Sequence, residues 1–141
     1  MDFSNLDTAK KANEGTFLHL KHPGSGVRMH EGCDPATGAG GDPEKKVGVW
    51  MLGKDSNKHA ERNHKRNNAR ILATDTQTVT SEESESDAID MICNLAIGWQ
   101  HIQLPGGENI FNEKNVKEFF TQFKWAAEQA VEHSLTRSNF I

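Results

Sequence analysis

Tyrosine is missing from this 141-residue chain, cysteine occurs twice and proline four times. The large apolar bulk therefore rests on seven Phe and three Trp. The two cysteines, Cys33 and Cys93, lie too far apart in sequence to suggest a disulfide framework, so a reducing cytosol is the default compartment. No run approaches the roughly 18 apolar residues that a membrane span requires. The stretch Met1 to Ala12 is polar and lacks the apolar centre of a signal peptide. A strong positive charge is also lacking. The formal net charge is −4 and the pI about 6.0, which argues against a protein built to coat nucleic acid. What remains is a polar chain, 35% hydrophobic and 26% charged, of a size that folds as one domain without a covalent staple.

Along residues 1–141, read as that single domain, the pattern splits into a strand-rich part (14–53) and a helical part (55–141). Residues 1–13 are polar and read as a loose arm or short helix. Thr16 to Lys21 alternates Leu18 and Leu20 with His19 and Lys21, as a half-buried strand does. The turn formers His22-Pro23-Gly24-Ser25-Gly26 then predict a hairpin returning through Val27-Arg28-Met29. Glu31 to Asp42 holds four Gly and one Pro, so residues 31–44 read as a flexible loop. Lys46 to Leu52 is the most apolar strand candidate, with Trp50 expected inside.

Asp55 or Ser56 is placed to cap a basic helix from about Asn57 to Leu72. Six Lys or Arg against two acids between Lys54 and Arg70 give it a charge of +4. Residues 73–80 read as a linker, and Thr80-Ser81-Glu82-Glu83 matches a capping box. In the following helix Ala88, Met91, Ile92, Leu95, Ala96 and Trp99 form one apolar stripe. Asn112 caps a last helix whose stripe runs Val116, Phe119, Phe120, Phe123, Ala127, Ala130, Val131. The order β-β-β-α-α-α is an α+β class: an N-terminal β-hairpin plus one further strand packed with about three helices.

No motif carries chemistry. His19-x-x-His22 and His30-x-x-Cys33 lack the paired Cys-x-x-Cys knuckles of a zinc site, and His59 and His64 lie about 140° apart round a helix. Gly38-Ala39-Gly40-Gly41 lacks the Lys-Ser/Thr of a phosphate loop. The acidic run Glu82 to Asp90 reads as a solvated helix start. The basic helix has no aromatic to stack on bases. Its charge is balanced by the acidic segment that follows, and the two segments are expected to attract each other or oppositely charged patches on a partner.

The order of local features resembles small phage and prophage tail proteins of the tail assembly chaperone type. The matching features are Glu14-Gly15-Thr16-Phe17-Leu18-His19-Leu20 with a Pro23-x-x-Gly26 turn, and Leu52-Gly53-Lys54-Asp55-Ser56 before a basic helix. Further along come Trp99, Gly106-Gly107-Glu108, Phe111-Asn112 and Asn115, then Trp125, Glu128, Gln129 and the closing Asn139-Phe140. The resemblance covers about two thirds of the chain, outside the Gly-rich loop and the linker. It implies a non-enzymatic protein that escorts the tape-measure protein or another tail protein, such as the tail-tube protein, in the host bacterial cytoplasm. The alternative is a structural tail component of the virion, or a small nucleic-acid-binding protein using helix 57–70. It supplies no catalytic residue, cofactor or metal. A homo-oligomer is compatible with it and a membrane partner is not expected. The candidate partner-binding residues are Leu135, Phe140 and Ile141 of the apolar tail, and Arg62, Lys65 and Arg66 of the basic helix. For Phe140 two outcomes stand open: docking on the domain's own helices, or serving an interface.

Overall fold

The computed structural model describes residue 3, residues 6–72 and residues 81–141, with side chains described for all of these except 66–72 and 81–84. The predicted linker 73–80 and the Thr80 cap lie outside the described residues. Among the described residues the elements run α1 (Thr8–Glu14), β1 (Thr16–His19), β2 (Gly48–Met51), α2 (Asn57–Leu72), α3 (Ser81–Leu95), β3 (Ala96–Gln100), α4 (Glu113–Gln122) and α5 (Lys124–Leu135), closed by a 3-10 turn, Arg137–Phe140. The class is α+β, as the sequence pattern predicts.

The sheet is antiparallel throughout, in the order β1-β2-β3, with Phe17 opposite Trp50 and Trp50 opposite Gly98. Strand alternation sends Leu18, Val49 and Met51 to one face, where they meet Ile92 and Leu95 of α3, Val116, Phe119 and Phe120 of α4, and Ala126, Ala127 and Ala130 of α5 in one core. Three alanines on α5 let that helix approach closely. Asn112 caps α4 as expected, its side chain accepting from the Asn115 backbone amide at 2.8 Å.

Four expectations are corrected. The predicted hairpin is present but shorter than expected: His22 donates to the Val27 carbonyl and Met29 to that of Leu20 about the Lys21–Arg28 bridge, while Thr16–His19 pairs with β2 instead. Leu20 also donates to the Val47 carbonyl and Val47 to that of Met29, which ties this short hairpin to the residues before β2. Ala96 and Trp99, which share a helical phase with Leu95, lie in β3 because the second edge of β2 offers a full set of backbone partners. The single helix read from Asn112 to Val131 breaks at Phe123, whose ψ of 78° is not helical. No Gly or Pro marks that break. Lastly, Trp50 is 42% exposed, on the sheet face away from the helices.

The segment 31–44 is bound at several points. Asp34 donates to the Ala39 carbonyl, the Ser25 hydroxyl to that of Thr37 at 2.6 Å, and His22 Nε2 lies 2.9 Å from the Pro35 carbonyl.

Candidate partner-binding surface

The five candidate residues whose side chains are described do not converge. Phe140 is buried at 2% exposure. Its ring lies against Gly53, where an added Cβ would sit 3.1 Å from it, and edge-on to His133 at 5.5 Å. Phe140 docks because Gly53, with no side chain, leaves room for its ring. Arg137 then clamps it, donating from Nε and Nη2 to the Asp55 carboxylate at 2.8 and 2.9 Å. Thr8 adds a third bond to that carboxylate, and the guanidinium and hydroxyl together hold the Asp55 carboxyl down at about 2. Phe140 is therefore removed from the list of exposed contacts, while Leu135 and Ile141 stay at the surface.

On the basic helix, Arg62 is turned onto α3, where it donates to the backbone carbonyl and side chain of Asp87 at 2.9 and 3.1 Å. The expected attraction between the basic and acidic segments is thus realised inside the molecule at this pair. Lys65 is exposed, and the Arg66 side chain lies outside the described residues. A cleft of about 540 Å³ opens between α2, α3 and α4, lined by Lys58, Arg62 and Lys117 against Asp90 and Glu113. Cys93 also faces it. Burial first, then the neighbouring Asp90, pushes that thiol up to about 11, so it is a poor nucleophile.

The open face of the sheet brings together residues that sequence reasoning had scattered. Phe17 and Trp50 touch with ring centroids 5.1 Å apart, and Phe17 reaches His19 at 6.2 Å. His19 meets His30 edge-on at 4.8 Å, and its ring nitrogen lies 2.6 Å from the Met29 carbonyl. Ile97, 45% exposed, lies on the neighbouring strand with its Cδ1 close to Gly15, and the Trp50 ring sits beside Gly98, where an added Cβ would meet it at 3.8 Å. Gly48 is obligatory at the other side of Phe17: a Cβ there would collide with the Leu18 carbonyl oxygen and with the Phe17 ring itself. The ring lies flat across a strand that has no side chain to lift it. Burial lowers the pKa of His19, and the nearby His30, Arg28 and Lys46 lower it further. A signal for this face exists in the sequence, since Phe17 and His19 share one parity and Trp50 sits two residues beyond a glycine. Only the pairing register makes the two sets one surface.

Scans against protein-family models, curated proteins and solved structures found no match for this chain.

Proposed function

We propose that this chain is a non-enzymatic protein of phage tail morphogenesis that binds the tape-measure protein or another tail protein as an assembly chaperone, in the host bacterial cytoplasm. The observation that carries the protein-binding part is the uncovered sheet face, where Trp50 touches Phe17 and stays 42% exposed, with Ile97 also at the surface on the neighbouring strand, on a chain otherwise rich in charge. The tail assembly part rests on the motif order that resembles that group. The reading also agrees with an unreactive Cys93 and with a cleft whose charges of both signs stand opposite one another.

The test is affinity capture from cells in which tails are assembling, with mass spectrometry of the captured proteins and of purified finished particles. Capture of the tape-measure or tail-tube protein, together with absence from finished particles, is the expected result. Presence in particles at fixed copy number would assign a structural tail role instead. Capture of no tail protein would overturn the reading.

A further inference from the structure

The strip on the open sheet face is apolar at one end and cationic at the other. Ile97 and Trp50 stand at the apolar end, 45% and 42% exposed. Among the described residues the Trp50 indole N–H has no hydrogen-bond partner, whereas that of Trp99 donates to the Asn109 carbonyl at 2.9 Å. At the opposite end His19 and His30 stack edge-on, and Arg28 and Lys46, both exposed, lie near enough to His19 to act on its charge. Of the carboxylates in that region, Glu31 is turned towards His101, 3.9 Å away. The His30–Lys46 bridge sets the Lys46 side chain on the His30 side, and among the described residues neither Arg28 nor Lys46 has a carboxylate within 4.0 Å, although the whole chain carries −4.

We infer that this face is the docking site for an acidic peptide segment of the partner, with apolar side chains seated on Ile97, Trp50 and Phe17 and carboxylates meeting Arg28, Lys46 and His30. The inference rests on the protein-binding reading above and names the chemistry of the partner's segment. Charge complementarity selects the occupant. A partner of positive charge would meet like charges at one end, which disfavours it. Aromatic area of this kind binds with little loss of side-chain freedom, because Trp and Phe have two rotatable bonds each and Phe17 is already fixed across Gly48. A single nucleic acid strand is disfavoured by the aliphatic Ile97 at the apolar end and by the presence of only one well-exposed ring, since sequence-tolerant strand binding needs successive rings for successive bases.

The experiment is selection of a random peptide display library on the intact protein, with counter-selection on Trp50→Ala. Trp50 is half in solvent, so Trp50→Ala is expected to keep the wild-type circular dichroism and melting curve. Should it unfold, Ile97→Ser and the charge variants carry the same test. The expected consensus joins apolar residues to Asp or Glu, and Arg28→Glu with Lys46→Glu weakens the selected peptide roughly tenfold or more. A basic or neutral consensus overturns the inference, as does an absence of peptides that depend on Trp50 or Ile97. Displacement of the selected peptide by a fluorescent oligothymidine would assign the face to nucleic acid. Self-association abolished by the same substitutions would assign it to a second copy. Failure here is separable from failure of the function proposed above. Tail-protein capture that survives both sets of substitutions refutes this surface alone, and capture of no tail protein refutes the function while the peptide selection still reads the surface.

Discussion

Truncating Phe140 to Ala removes a ring that is 2% exposed and held between Gly53 and His133. The transfer contribution of a fully buried Phe is about 1.5–3 kcal/mol. The cavity left behind raises the total to about 3–5 kcal/mol for Phe→Ala in a closed core. The lower end is expected here, because the last turn is free to relax into the gap once the ring is gone. Roughly 3–5 °C per kcal/mol for a domain of this size turns about 3 kcal/mol into a fall of about 9–15 °C in melting temperature. Urea denaturation should give the same loss in free energy at an unchanged slope, since the unfolded surface is nearly the same. Ile141→Ala, at a side chain 66% exposed, is the control and should stay within about 0.5 kcal/mol. Binding to a captured tail protein should change only as far as folding does. A loss under about 1 kcal/mol for Phe140→Ala, with association weakened in a still-folded protein, would refute the docking argument and return Phe140 to the interface.

Gly48→Ala should cost at least about 1–3 kcal/mol in denaturant midpoint analysis, as overpacking does, because the collision is with the backbone oxygen of Leu18 as well as with Phe17; wild-type stability would show that the two strands can separate freely. Acid should loosen the docked terminus in two stages. His133 is half-buried and desolvation holds it below its ordinary pKa, so the stability it lends is complete above about pH 6.5 and declines as pH falls through its lower folded value. Asp55, held at about 2 by Arg137 and Thr8, lends stability that is complete above about pH 4 and is lost as pH falls towards 2. Chemical shifts of Phe140 followed between neutral pH and pH 2 would report both stages, and a profile flat over that range would contradict them. Cys93, with its thiol pushed up to about 11, should be alkylated far more slowly than an exposed model thiol at neutral pH, with a thiolate fraction near ~10⁻⁴. Rates equal to the model thiol would place Cys93 outside the packed face of α3.

Local patterning was enough for the α+β class, for the inward parity of Leu18 and Leu20, and for the Asn112 cap of α4 with its Val116, Phe119, Phe120 stripe. Each of these depends on side chains within a turn or two of one another, and alternation or a 3.6-residue period records which face is apolar. A cap for α2 from Asp55 or Ser56 was legible for the same reason; the structure uses Ser56, whose hydroxyl accepts from the His59 amide three residues on, and gives Asp55 to Arg137. The errors fall where a distant segment outbid a local preference. Ala96 and Trp99 keep helical spacing with Leu95, yet a backbone that can pair along the whole edge of β2 is extended; Ile97 and Gly98, poor helix formers, were the local hint. Val27–Met29 does pair with residues 20–22 as the local turn predicts, whereas Thr16–His19 takes the distant Gly48–Met51 as its ladder partner.

The candidate surface depends still more on long-range pairing. By itself the sequence determined that Phe17 and His19 share a face, that Trp50 stands opposite in parity to Val49 and Met51, and that Phe140 is an apolar side chain near a terminus. Only the tertiary structure decided that helices cover the Val49 face and leave Trp50 in solvent, and that the β1–β2 register sets Phe17 beside Trp50. It likewise decided that Phe140 closes over Gly53 instead of standing free. The physical reason is that parity and period fix the relative orientation of near neighbours. Which of two faces loses its water is settled by the total apolar area that the helices bring to each, and that sum runs over the whole chain.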